Sequence, residues 1–252
     1  MWAPQIFQND NSIYENLISG QIPAIIIPEI ISKFDCENLC NKILLNQYIT
    51  SGPGISNKIG TSLSSHIYEK SKYFSNSQKS NQLIQHIFAN TKSPLLTMQK
   101  IIKNISQKQI STAMENSMSY SDAVIRIHQD GDSVHLHRDH STFEMSEYSI
   151  SHFGNQLSAI LYLQSPIKGG ELTIYQKKWN KLDEKMRLPD FGYSSEMVKN
   201  IPQTSILPVS GNMIIINPKF YHQIEYVHGP KQRISIGFFF GELSKHHLCS
   251  WA

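Results

Sequence analysis

Apolar residues change their spacing part-way along the chain, and the change separates two textures. Before Ala123 they recur mostly at helical intervals. Ser32 or Asp35 can cap a helix on which Leu39, Ile43 and Leu44 recur. Residues 82–90 and 95 to about 114 repeat apolar positions at i, i+3 and i+4, which predicts two more helices. The short β-branched run Ala24-Ile25-Ile26-Ile27, closed by Pro28, predicts a strand. Residues 1–21 are polar and irregular. Residues 49–78, with Gly52-Pro53-Gly54, Gly60 and many serines, predict a long loop, and 115–122 a polar break.

From Ala123 onward short β-rich runs follow one another, punctuated by Gly, Pro, Asn and Asp. Strands are predicted over 124–127, 134–137, 157–163, 171–175, 212–217, 222–227 and 233–240. Helices first and many short strands afterwards predict a mostly β fold with N-terminal helices: an antiparallel two-sheet barrel or jelly roll, buttressed by the helical part. A chain of 252 residues suits one domain, 1–252, with 1–122 as support and 123–252 as core.

Composition narrows the function. Hydrophobic residues make up 40% and charged residues 17%, which excludes a disordered chain. The 23 basic and 20 acidic residues leave a net charge of +3, and the basic ones are scattered, so no nucleic-acid partner is expected. The longest apolar run, near 23–31, is too short to span a membrane. Three cysteines without zinc-site spacing, and a start, Met1-Trp2-Ala3-Pro4-Gln5, with no basic region and apolar core, predict a cytoplasmic protein.

The candidate chemistry begins at Val134-His135-Leu136-His137-Arg138-Asp139-His140. Residues i and i+2 of a strand share a face, so His137 and Asp139 are expected side by side, with His135 on the same face. His222, at the start of a later strand, can supply a second imidazole. Two histidines and a carboxylate form the facial triad associated with non-haem Fe(II) oxygenases. Arg233 heads another apolar strand, and a cation pointing into a barrel needs an anion. Its planar fork fits a carboxylate, and Ser235 at i+2 can donate to the same group. A dicarboxylate held there at one end and chelating the metal with the other describes 2-oxoglutarate.

These residues, His137-x-Asp139, His222 and Arg233-x-Ser235, resemble the signature of the Fe(II)/2-oxoglutarate-dependent oxygenases, whose fold is a double-stranded β-helix. Leu161-Tyr162-Leu163 followed by Gly169-Gly170-Glu171-Leu172 is similar to the prolyl-hydroxylase-like branch, which implies that Tyr162 contributes to the 2-oxoglutarate pocket. Ile125-Arg126, Gln156-Leu157-Ser158, Trp179-Asn180, Gly192-Tyr193-Ser194-Ser195, Tyr221-His222 and Ser250-Trp251 resemble the carrier-independent indole-alkaloid halogenases of cyanobacteria and their hydroxylase relatives, chiefly in the C-terminal half. In the halogenases the carboxylate position is glycine or alanine, which opens a place for chloride. Asp139 stands there in this chain, so the resemblance implies hydroxylation. In the strand before His137, where relatives have a tyrosine or asparagine, this chain has His128.

The expectation is therefore a dioxygenase using Fe(II), 2-oxoglutarate and O2 to hydroxylate an unactivated C–H of a small molecule, a free amino acid or a specialised metabolite. The same chemistry on a peptide or protein side chain is one alternative. A cupin-like metal-binding protein that uses no 2-oxoglutarate is another, and it leaves Arg233 without a partner. Gly169-Gly170 reads as a turn positioning the next strand. The aromatic-rich segment 176–204 reads as a lid over the substrate.

Overall fold

Residues 2–8, 10, 12–46, 50–52 and 55–252 are described by the computed structural model, the backbone alone at 50–52, 55 and 56. Within them two β-sheets face each other, with helices on the outside of the larger. The larger sheet runs Gln5–Ile6, Ala24–Ile27, Met213–Ile216, Gly154–Gln164, Arg233–Ser244, Val124–His128, Ile55–Ile59, Thr50–Gly52. His247–Trp251 also pairs with Arg233–Ser244 and carries Gln109–Thr112 alongside it. The smaller sheet runs Gln203–Ile206, Leu172–Lys178, Phe220–Ile224, Val134–His137. The architecture is mostly β with N-terminal helices and a jelly-roll core.

Alternation along the strands of the larger sheet assigns its two faces. Ile125 and Ile127, then Leu157, Ala159 and Leu161, then Ile234 and Ile236 pack outward against the helices. Tyr162, Ile214 and Ile216 point inward and meet Leu172, Ile174 and Phe220 of the smaller sheet. The inward positions 126, 128, 158, 233 and 235 are polar, and they line or flank the interior.

Ser32 caps the Lys33–Leu44 helix: its hydroxyl accepts from the Asp35 N–H at 3.1 Å and donates to the Asp35 carboxylate at 2.7 Å. The buried face is Cys36, Leu39, Cys40 and Ile43, so two of the cysteines are core residues, whereas Leu44 is exposed. The next helix begins at Lys70, well before the expected 82, and ends at Ile87. Its early turns bury Ser77, Ser80 and Asn81, which disguise the apolar period but are satisfied. Ser77 donates to the carbonyl of Ser119 at 2.7 Å, and Asn81 donates to that of Tyr120 at 2.9 Å.

Other expectations are corrected. The helix expected to reach 114 spans Pro94–Ser106; Gln107 adopts a left-handed conformation, φ 57°, and the chain turns into the Gln109–Thr112 strand. The irregular 1–21 contains the Ile13–Ser19 helix, which buries Ile13, Tyr14 and Leu17. Part of the expected 49–78 loop is the Ile55–Ile59 strand, joined edge to edge to Val124–His128, while Pro53 and Gly54 lie outside the described residues. The 115–122 break holds a hairpin whose turn residues, Asn116 and Ser117, have φ of 48° and 66°. The part before 123 thus contributes sheet as well as helices. Among the described residues no helix is long and apolar enough to cross a membrane.

Candidate metal and cosubstrate site

His137 and His222 are direct cross-strand partners on the smaller sheet, with ring centroids 4.2 Å apart. Each ring is oriented by its own backbone. His137 Nδ1 lies 2.8 Å from the carbonyl oxygen of His135, and His222 Nδ1 lies 2.9 Å from that of Phe220. Nδ1–H donation to these carbonyls leaves each Nε2 as a free lone pair, the form a metal takes.

Asp139 arrives differently from the expectation. The strand stops at His137, so Asp139 is not the next position on the same strand face. Its N–H donates instead to the carbonyl of Pro218 at 2.9 Å, which ties the turn to the strand carrying His222. Asp139 Oδ2 then lies 3.4 Å from His222 Nε2. One donor atom from each of the three residues falls within 4.8 Å of the others. His135 is exposed, and its carbonyl is what orients His137. His140 lines the cavity, its ring edge-on to Trp179 at 5.3 Å.

The electrostatics suit a metal ligand set. Burial, with the neighbouring His222, lowers His137 to about 4, so it is neutral at physiological pH. Burial works against the Asp139 charge, but contact with His222 and proximity to His137 and Arg126 outweigh it and hold the carboxyl below its ordinary range. Two imidazole nitrogens and one carboxylate oxygen fit a divalent cation of intermediate softness.

Arg233 is 1% exposed at the head of its strand. Its Nε donates to the carbonyl of Gly170 at 2.9 Å, its Nη1 lies 3.4 Å from Ser235 Oγ, and its guanidinium rests on the Tyr162 ring, 4.9 Å from the centroid. His128, directly across from Arg233, places Nδ1 3.5 Å from Nη1. Burial, then the charges of Arg233 and Arg126, push His128 well below its ordinary value and keep it neutral. The Tyr162 hydroxyl and His128 Nε2 are buried and have no hydrogen-bond partner among the described residues. A buried guanidinium beside two orphaned polar atoms is a cradle for a carboxylate.

Two contributors here escaped the sequence. Gly170 holds Arg233 in place as well as making a turn: at φ 72° it turns its carbonyl to Arg233, and a Cβ would lie 2.9 Å from Arg233 Cδ. Arg138, 3% exposed, threads between the metal turn and the 176–204 segment. It pairs with Glu144 at 2.7 Å and Glu184 at 3.1 Å, with its guanidinium 4.5 Å from the Trp179 ring centroid. Its local spacing carries no signal of this role, because Glu184 lies 46 residues away.

The expected lid divides. Trp179, Tyr193, Met197, Val198 and Ile201 pack on the outer face of the smaller sheet with Leu136, Tyr175 and Tyr221, which anchors that part of 176–204 to the sheet. Only Asp190 and Phe191 reach the cavity, Phe191 with its ring 5.3 Å from that of His137. The cavity holds about 480 Å³ and is bordered by the donor triad, Arg233 and Ser235, with Ile160, Ile216 and Phe239 among its apolar walls.

A jelly roll of this kind is the fold of the non-haem Fe(II)/2-oxoglutarate-dependent oxygenases, and the donor set suits the metal of that class. Within that class the chain belongs to the carrier-protein-independent halogenase WelO5 family, whose model matches residues 1–249, well beyond the C-terminal half. It is 23% identical over 183 residues to leucinostatins biosynthesis cluster protein S of Purpureocillium lilacinum, covering 69% of this chain and 74% of that one. It is 26% identical over 97 residues to the L-gamma-glutamyl-L-propargylglycine hydroxylase of Streptantibioticus cattleyicolor, covering 38% of this chain and only 36% of the hydroxylase. Among solved structures, an N-substituted L-amino acid dioxygenase from Burkholderia ambifaria superposes with a TM-score of 0.65 at 13% identity, over 96% of this chain and 91% of that one. That likeness is one of fold.

Proposed function

We propose that this protein is an Fe(II)/2-oxoglutarate-dependent hydroxylase of an unactivated C–H in a small molecule, a free amino acid or a specialised metabolite. The observation that carries the reading is Asp139, 3.4 Å from His222 Nε2 in a family named for halogenases. A carboxylate occupies the place that the halogenase pattern leaves open for chloride. The cavity of about 480 Å³ has the size of a metabolite site and supports a small substrate over a folded protein.

In this reading His137, Asp139 and His222 hold the metal. Arg233 and Ser235 hold the distal carboxylate of 2-oxoglutarate, with Tyr162 and His128 supplying the two orphaned polar atoms beside it. Bound iron and 2-oxoglutarate supply O2 activation, with 2-oxoglutarate leaving as succinate and CO2. The protein's share is geometric. The backbone carbonyls of His135 and Phe220 keep both Nε2 atoms aimed inward, and Phe191 covers His137. The apolar walls keep water from the reacting carbon. A cupin-like reading gives the Arg233 cradle no ligand. Free, buried cysteines suit a cytoplasmic setting, and 1–252 acts as one domain.

The test is anaerobic. Fe(II) and then 2-oxoglutarate are added, and the weak visible band of the chelate is recorded for wild type and His222→Ala. A band in wild type alone supports the assignment. Iron binding without a band removes it.

A further inference from the structure

With one carboxylate of 2-oxoglutarate assigned to Arg233 and the other to the metal, a second arginine on the cavity wall is left over. Arg126 lies opposite Ser235 on one neighbouring strand and opposite Lys58 on the other. It lines the cavity, and its guanidinium has room because residue 237 is glycine: a Cβ there would lie 3.2 Å from Arg126 Nη1. Among the described residues the Arg126 side chain makes no hydrogen bond, ion pair or ring contact. Lys58 adds positive charge to the same wall and donates to the Ser62 and Ser65 hydroxyls, each at 3.2 Å.

The carboxylates on this wall have other work. Asp139 belongs to the donor triad, and Glu144 is paired with Arg138 at 2.7 Å; Asp190 is exposed. The Asp139 charge favours the Arg126 guanidinium without touching it, so the guanidinium can still pair directly with an arriving anion. Among the described residues no uncommitted buried carboxylate remains on this wall to receive an ammonium group. Val124, Ile160, Leu172, Ile216, Phe238 and Phe239 give the wall a broad apolar surface, with the polar Gln156 and Ser158 among them.

We propose that Arg126, with Lys58 beside it, recognises a carboxylate on the molecule that is oxidised. The substrate class is then an apolar carboxylic acid without a free ammonium group, such as an N-acylated amino acid. This inference rests on the hydroxylase reading and narrows its substrate. Lys58 has its own proton affinity lowered, first by burial and then by the Arg126 charge, which an incoming carboxylate would relieve.

The experiment titrates matched pairs, N-acetyl-L-leucine with N-acetyl-L-leucinamide and N-acetyl-L-phenylalanine with its amide, into Ni(II)-loaded protein saturated with 2-oxoglutarate. At least one acid is expected to bind ~10-fold or more tightly than its amide, the value of a charge-assisted hydrogen bond. Arg126→Gln should erase that preference, and Arg126→Lys should keep part of it. The 2-oxoglutarate affinity of Arg126→Gln, measured separately, should match wild type. A preference that survives Arg126→Gln, or no preference in wild type, overturns the proposal. So does a parallel loss of 2-oxoglutarate affinity, which assigns Arg126 to the cosubstrate. If wild type fails to bind 2-oxoglutarate, the hydroxylase reading falls; the same pairs titrated into Arg233→Gln, with and without Arg126→Gln, then decide the role of Arg126 alone.

Discussion

Arg233 Nε donates to the carbonyl oxygen of Gly170 at 2.9 Å, so the cosubstrate cradle is fixed by a turn 63 residues upstream. Two adjacent glycines there have different tolerances. At Gly170 a Cβ would press on Arg233 Cδ at 2.9 Å, the middle of a flexible side chain. At Gly169 it would lie 1.9 Å from the carbonyl oxygen of Tyr226, which is backbone. Gly170→Ala, strained by its left-handed φ of 72°, should lower the melting temperature modestly and weaken 2-oxoglutarate binding by roughly 10-fold or more, about what a hydrogen bond to a charged group contributes. Gly169→Ala should lower the melting temperature further, with the clash against backbone added to the same strain. Calorimetry with 2-oxoglutarate and a thermal melt separate the two.

Arg233→Ala leaves the donor triad untouched, since among the described residues no hydrogen bond or ion pair joins Arg233 to His137, Asp139 or His222. Metal affinity is expected to be kept while 2-oxoglutarate affinity falls by about 100-fold, in line with removing a buried charge partner. Wild-type 2-oxoglutarate affinity in this variant would refute the cosubstrate assignment.

Asp139→Ala removes one of three donors and the contact of Asp139 Oδ2 with His222 Nε2 at 3.4 Å. Hydroxylation is expected to disappear. Because the backbone N–H at 139 still pairs with Pro218, the turn should persist, and the circular dichroism of the variant should match wild type. Loss of the folded signal would mean that the carboxylate holds the turn.

Glu184 gathers the cladding over the smaller sheet. It accepts from Trp179 Nε1 and the Tyr193 hydroxyl, each at 2.6 Å, and from Arg138 at 3.1 Å. Burial opposes its charge, but these three donors, led by Tyr193, lower it from 4.5 to about 2. A carboxyl whose folded value is depressed stabilises above its unfolded value and loses that contribution as pH falls through the folded one. Glu184→Gln should therefore cost about 1–3 kcal/mol near neutrality. The difference in melting temperature should shrink between pH 4.5 and pH 2. A pH-independent difference would show that packing, not charge, is lost.

Much of this protein was legible before its structure. The strand runs from 124 onward and the Ser32 cap depend on local pattern, and local pattern is what a sequence displays. The Lys70–Ile87 helix was half hidden, because Ser77, Ser80 and Asn81 are buried by hydrogen bonding and not by hydrophobicity. The Gln109–Thr112 strand exists because its partner is His247–Trp251, at the other end of the chain. The sequence by itself determined which side chains could take part: two imidazoles, a carboxylate, and an arginine with a serine two residues on. Tertiary structure alone decided how they meet. Asp139 joins the histidines through the Pro218 carbonyl and not through strand alternation, and Gly170, His128 and Arg138 acquire their roles from partners 63, 105 and 46 residues distant. Such pairings follow from the register of strands brought together across the barrel, which no local spacing encodes.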